Sequence, residues 1–265
     1  MNPMIRKELR QRMRERRGWI LPSLYLLTLS GVISFAYFQQ SGRTYQTVQG
    51  WQIGVTLFLT LVYTQLGLLL LLAPIFSAGA LTIEKEQRTL GGLLTSLLGP
   101  FEIWWGKFAA SLLFILLLLV IGIPVLSAAF AFGGVGPWEV GIVAFTTVVI
   151  LGTVSAISLY WSSAFRRSVH ATAVSYVTVV IMTVVTLIIF GISLSRLNSV
   201  HEWHSIPALV RAPLFLNPLF FITTALAPKE QLYPEWFICL GVFVAIALLC
   251  AVLTLRNLRH SGDVA

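Results

Sequence analysis

The sequence predicts an all-α membrane protein with six transmembrane helices, and three observations carry that expectation. Of 265 residues, 57% are hydrophobic and 11% charged, well short of the roughly 25% charged expected of a soluble domain. Uncharged runs recur at Gly18 to Gly42, Trp51 to Ile83, Phe108 to Trp138, Val140 to Phe165, Ala171 to Ser195 and Trp236 to Leu255. Each reaches the ~20 residues that a helix needs to cross the hydrocarbon core. The third observation is the placement of the 18 Lys and Arg residues.

With the N-terminus inside, fourteen of these cations fall on the cytoplasmic side: Arg6, Lys7, Arg10, Arg12, Arg14, Arg16, Arg17, Lys85, Arg88, Lys107, Arg166, Arg167, Arg256 and Arg259. Four fall outside: Arg43, Arg196, Arg211 and Lys229. The bias of basic residues toward cytoplasmic loops therefore puts both termini inside a cell inner (plasma) membrane. It also explains the net charge of +8 through anionic lipid, with no nucleic-acid partner required.

The chain divides into 1–17, an interfacial helix, 18–255, the six-span bundle, and 256–265, a cytoplasmic tail, all one membrane domain. From Pro3 to Arg17, Ile5, Leu9 and Met13 recur every four positions among seven basic residues. That thin apolar stripe suits a helix lying in the headgroup plane. A cleavable signal peptide is not expected, because the first apolar run is a full span. Cys239 and Cys250 share the last run, eleven residues apart and too distant to bridge, so they read as packing residues.

Pro74 and Pro124 interrupt the second and third runs, where each removes a backbone hydrogen bond and permits a kink. Neighbouring helices ordinarily accommodate such a proline, so static kinks are expected. The outer segment Arg196 to Glu235 is long and holds an apolar stretch, Leu214 to Ala227, broken by Asn217-Pro218. Too short to span, it reads either as a re-entrant hairpin serving as an outer gate at Asn217 and Pro218, or as a surface hairpin.

Several chemistries are excluded. GPFEIWWGKF has a Gly-Lys pair, but Phe101 and Phe108 stand where a phosphate-binding loop needs glycine and a hydroxyl. His201 and His204 are three apart with no third ligand indicated, so no metal site is expected. No carboxylate lies within an uncharged run, which weakens an ion-driven carrier. A catalytic constellation of Ser, His and acid is likewise missing, and no cofactor is expected in this chain.

The most informative stretch is IEKEQRTLGGLLTSLLGPFEIWWGKF, from Ile83 to Phe108. Its acidic pair Glu84 and Glu86, then Thr89-Leu90, Leu93-Leu94, Thr95-Ser96 and Gly106-Lys107, resembles the second cytoplasmic segment of ABC type-2 transporter permeases. Arg88 stands where that family commonly has glycine, and Gly91 where Glu is common. The resemblance extends to the basic start, the six spans, Phe165-Arg166-Arg167-Ser168 and Leu216-Asn217-Pro218-Leu219.

The resemblance implies a permease that pairs with a second copy or a paralogue and with separate nucleotide-binding ATPase subunits. ATP and magnesium would bind in those partners. A short cytoplasmic coupling helix would then insert Leu90, Leu93 and Leu94 into a groove on the ATPase, with Glu84, Lys85, Glu86 and Arg88 orienting it, and Thr89 belongs to the same segment. Gln65, Ser175 and Thr178 are polar residues within spans, read either as lining a route or as interhelical hydrogen-bond partners. Uncharged, aromatic spans favour export of an amphiphilic or lipid-linked cargo. The competing function is a membrane scaffold that anchors a cytoplasmic ATPase or an envelope complex without transporting.

Overall fold

The computed structural model describes residues 17–41, 50–88, 99–130, 133, 135–195, 207–226 and 233–262. The interfacial stretch Pro3 to Arg17, apart from Arg17 itself, lies outside them, as do Thr89, Leu90, Leu93, Leu94 and the pair His201 and His204. Among the described residues every regular element is helical. In chain order these are α1 (Arg17–Ser41), α2 (Gly50–Glu86), α3 (Pro100–Phe130), α4 (Pro137–Ala164), α5 (Ser168–Val180) and α6 (Thr186–Ser195). After them come α7 (Ala208–Arg211), α8 (Pro218–Leu226) and α9 (Tyr233–Gly262). A π turn, Ile181–Val185, joins α5 to α6 in one fifth span, and a 3-10 turn, Ala212–Leu216, follows α7.

Among the described residues six helices are long and apolar enough to cross a membrane, as the uncharged runs predict, and each begins before the run that it matches, α3 by the most. α3 starts at Pro100 and α4 at Pro137, because each opening is built from the same four-residue pattern. In Gly99-Pro100-Phe101-Glu102, proline takes the first helical position, where its missing N–H costs nothing. The carboxylate of Glu102 then accepts the Gly99 N–H at 3.1 Å. Gly136-Pro137-Trp138-Glu139 repeats the arrangement, with Glu139 accepting the Gly136 N–H at 3.0 Å. Acids in the first turn also complement the positive end of the helix dipole.

The centre of the bundle is α2 against α4, with α3 and α9 alongside. Leu57, Phe58, Leu61, Leu66, Leu69 and Ala73 of α2 are buried against Ile150, Leu151, Val154 and Ile157 of α4, Ile115 and Leu118 of α3, and Cys239 and Phe243 of α9. Small residues let the central pair approach closely, as membrane helices do when lipid supplies no hydrophobic drive between them. Ser77, Ala78 and Ala80 on α2 are buried, as are Ser155, Ala156, Ser158 and Ser162 on α4. The Ser162 hydroxyl oxygen accepts the backbone N–H groups of both Leu81 and Thr82 at 3.0 Å. That contact brings the side chain of one helix onto the backbone of the other and fixes their register.

α1 and the fifth span are peripheral. Only 11% of the spanning window of α1 is buried, against 56% for α4, and large apolar side chains such as Trp19, Leu27, Phe38, Ile188 and Ile192 are exposed.

Both prolines are accommodated without a break, since α2 and α3 run continuously through Pro74 and Pro124. Neighbouring helices supply partners near each disturbed turn. Tyr176 donates its hydroxyl to the Leu71 carbonyl at 2.6 Å, three residues before Pro74. Gln65 donates to the Leu119 carbonyl at 3.4 Å, five residues before Pro124. These bonds go to adjacent carbonyls rather than to those of Leu70 and Val120, which are the ones the prolines leave without an intrahelical donor.

Candidate functional site

The end of α2 carries three consecutive charged residues, and each is bound to a different helix. Glu84 meets α3: its Oε1 lies 2.6 Å from Nζ of Lys107. Lys85 meets the end of α4, donating to the carbonyls of Ser162 at 3.2 Å, Phe165 at 3.1 Å and also Ser163. Those are among the carbonyls that a helix C-terminus leaves without intrahelical partners, and a cation suits the negative end of the dipole. Glu86 meets the start of α5, where its carboxylate accepts the Ser168 N–H at 2.7 Å and the Ser168 hydroxyl at 2.9 Å. An acid from α2 thus caps α5 at its positive end.

Helical geometry explains the division. Successive residues point ~100° apart around the axis, so three neighbours on one terminal turn reach three surrounding helices. The resulting brace makes the end of α2 mechanically continuous with α3, α4 and the fifth span. Asn257 of α9 adds a further tie, donating to the Ser163 hydroxyl at 3.1 Å.

Arg88 closes α2 in the left-handed region, with φ of 56°, and its N–H donates to the Lys85 carbonyl at 3.2 Å. A left-handed residue after a helix is ordinarily glycine, so the glycine common at this position in the permeases that the sequence resembles has a physical reason. An arginine there holds the same turn at a conformational cost.

Around Lys107 the first turns of α3 form an aromatic band. Trp104 and Phe108 stack with ring centroids 5.2 Å apart, and Phe101 and Trp105 stack at 6.4 Å. Phe101 and Trp105 are exposed. Such rings concentrate at the level of the headgroups, which places the Glu84 and Lys107 pair near the bilayer boundary.

A second arrangement lies toward the other end of the bundle. The 3-10 turn and α8 meet at Asn217-Pro218 in a 97° bend. Asn217 is fully buried. Its Oδ1 accepts the N–H groups of Leu219 at 2.8 Å and Phe220 at 3.2 Å, capping α8. Its Nδ2 donates to the Thr183 carbonyl and the Thr186 hydroxyl, both at 2.8 Å. Thr186 is nine residues before Ser195, roughly 14 Å along a helix, so the bend sits well below the end of the fifth span. At the hairpin's other limb Arg211 Nη1 lies 3.0 Å from Glu235 Oε1 at the head of α9.

The other polar residues singled out from sequence have partners within the chain. Gln65 is buried against α3 as described. Ser175 donates to the Ala171 carbonyl of its own helix at 2.7 Å. Thr178 donates to the Val174 carbonyl at 2.9 Å and accepts Trp161 Nε1–H at 3.1 Å. Lys107 and Ser168 are legible in sequence only as members of motifs, not as partners of the α2 brace, and neither Ser162 nor the pairing of Arg211 with Glu235 is legible at all. The Gly-Pro-aromatic-Glu repeat was a readable signal for the helix starts, whereas nothing local announced the long-range partners.

Six apolar helices, a tightly packed central pair and a charged brace at one end define a multi-pass membrane protein. The chain belongs to the ABC-2 family of transporter proteins, which it matches over residues 3–257. It is a transmembrane permease component of an ABC transporter, a class that works with an ATP-binding partner subunit. Comparison with curated proteins finds no match.

Proposed function

We propose that this chain, a single membrane domain over residues 1–265, exports an amphiphilic or lipid-linked cargo across the inner (plasma) membrane with both termini in the cytoplasm. Two ATPase subunits, which hold ATP and magnesium, drive it, and it works beside a second permease copy or a paralogue in a lipid bilayer. Force enters at the connection between α2 and α3, where Thr89, Leu90, Leu93 and Leu94 contact the ATPase. The observation that carries this reading is the brace: Glu84, Lys85 and Glu86 join the end of α2 to three other spans, so a push on that connection moves the bundle as a body rather than one helix. Glu84 and Glu86 are transmitters inside the permease, and Arg88 sets the exit angle of the connection. Gln65 and Thr178 tie neighbouring helices together, Ser175 bonds within its own helix, and the cargo route runs along the faces that the single chain leaves apolar and exposed. Asn217 and Pro218 form the outer gate.

The test is reconstitution with the ATP-binding subunit that co-purifies with this chain from its native membrane. Cargo-stimulated ATP hydrolysis is expected, and Leu94→Asp should abolish that stimulation while leaving the spans inserted. Failure of any ATP-binding subunit to co-purify, or labelling of a Gln87→Cys variant only from the outer side, would remove the proposal.

A further inference from the structure

The fifth span changes helix type in its middle. At the π turn the Thr186 N–H donates to the Ile181 carbonyl, five residues back, where an α turn would give it to Met182. A π turn therefore carries one residue more than the α turn it replaces, and such turns concentrate where helices do work. Here the displaced groups are served by side chains. The Thr186 hydroxyl donates to the Met182 carbonyl at 2.7 Å, filling the acceptor that its own amide has left. That same oxygen accepts one N–H of Asn217, whose other N–H goes to the Thr183 carbonyl. Because Asn217 also caps α8 through Oδ1, one buried amide joins the setting of the π turn to the position of the hairpin.

We propose that the π turn is a register switch in the fifth span, held in its present setting by Asn217, and that its release is the movement that opens the outer gate. Its role in transport rests on the permease reading above, whereas its existence does not. Returning Ile181–Val185 to α geometry hands the Met182 carbonyl back to the Thr186 amide. The extra residue passes along the helix, turning α6 by about 100° and shifting it by about 1.5 Å relative to α5. Ile188 and Ile192, now exposed, turn toward the bundle, and buried Thr186 leaves Asn217. The hairpin then loses its anchor on the fifth span while keeping the Arg211 and Glu235 contact at its other limb, so it swings about that end.

The experiment is a nitroxide scan of 168–193 in nanodiscs, one engineered cysteine at a time in a Cys239→Ser, Cys250→Ser background, reading collision with oxygen. Asn217→Ser keeps an oxygen acceptor for the α8 cap but has no amide to reach Thr183 and Thr186. The expected result is that the accessibility wave of 186–193 shifts in phase by about 100°, with Ile188 and Ile192 losing accessibility, while the wave of 168–180 stays in place. An unchanged phase, or a flattening of both waves, would overturn the switch and leave Asn217 as a packing residue. Should Asn217→Ser fail to insert, Thr186→Val removes the intermediate hydroxyl without touching the cap and is judged by the same two results. This scan needs no partner, so a failed co-purification removes the transport reading and leaves the switch standing. In the assembled complex, ATP should move the phase of the native chain in the same direction, and an unmoved phase would remove the switch from the gate.

Discussion

Lys107 of α3 and Glu84 of α2 form an ion pair of 2.6 Å that is buried unequally, with the lysine side chain 2% exposed and the glutamate 21%. Taking charges out of water is costly, and the mutual attraction offsets that cost only while both partners are present. Removing one partner of a buried pair typically costs about 3–5 kcal/mol. The unequal exposure predicts an order. Glu84→Gln should destabilise the detergent-solubilised protein more than Lys107→Met, because the lysine is the more deeply buried of the two charges. The double variant Glu84→Gln, Lys107→Met should be more stable than Glu84→Gln alone, measured by thermal unfolding of purified protein. Equal losses for the two single variants would contradict the assignment.

Glu86 gives a different outcome because it is solvent-exposed and its bonds serve a helix end. Glu86→Ala should insert normally and unfold at close to the native temperature, since water can replace an exposed cap. The tie from α2 to Ser168 is nevertheless lost, so the fifth span no longer follows the end of α2. In the reconstituted complex, ATP hydrolysis should continue while cargo transport falls. Glu86→Asp, which keeps an acceptor near the Ser168 N–H, should retain part of the transport. Full transport by Glu86→Ala would show that motion reaches the fifth span by another path.

The left-handed backbone of Arg88 makes a prediction of opposite sign. A non-glycine residue in that region costs roughly 1–2 kcal/mol, and glycine gives back part of the gain through its extra freedom in the unfolded chain. Arg88→Gly should therefore raise stability by about 0.5–1 kcal/mol, read as a higher midpoint of thermal unfolding. Arg88→Ala should show no such gain, because the Cβ remains. A gain shared equally by both variants would point to the charge rather than the backbone as its source.

Span number and order were legible because length and apolarity alone oblige a segment to cross a bilayer. The span ends were not, and the reason is specific. A charge ends an uncharged run but not a helix: Glu102 and Glu139 begin helices by accepting the N–H groups of Gly99 and Gly136, and Lys107 sits inside α3 paired with Glu84. The brace on α2 was invisible for a related reason: its partners are 23, 77 and 82 residues away at Lys107, Ser162 and Ser168. Only the folded bundle brings them together. Asn217-Pro218 is legible as a break in an apolar stretch because proline interrupts a helix, and the chain bends there by 97°. The π turn beside it has no such signal, since Ile181 to Val185 is as apolar as the α-helical residues on either side.

Gly122 tests the contact that holds α1 and α2 against α3. A Cβ at that position would lie 2.8 Å from Tyr25 Oη and 2.9 Å from Gln65 Nε2, closer than real Cβ atoms approach. Tyr25 and Gln65 are both buried, so neither can swing into open space, and Gln65 also donates to the Leu119 carbonyl in the region disturbed by Pro124. Gly122→Ala should therefore cost about 1–3 kcal/mol, the usual penalty for overfilling a packed interior. Alanine favours a helix interior over glycine by about 1 kcal/mol, which sets the sign check: if the site had room, the substitution would stabilise. In a Gln65→Ala background one of the two clashes is gone, and the same substitution should cost less. The double-mutant cycle, measured by thermal unfolding, thus separates steric conflict with Gln65 from any intrinsic effect of the helix, and strict additivity would show that the two residues do not meet.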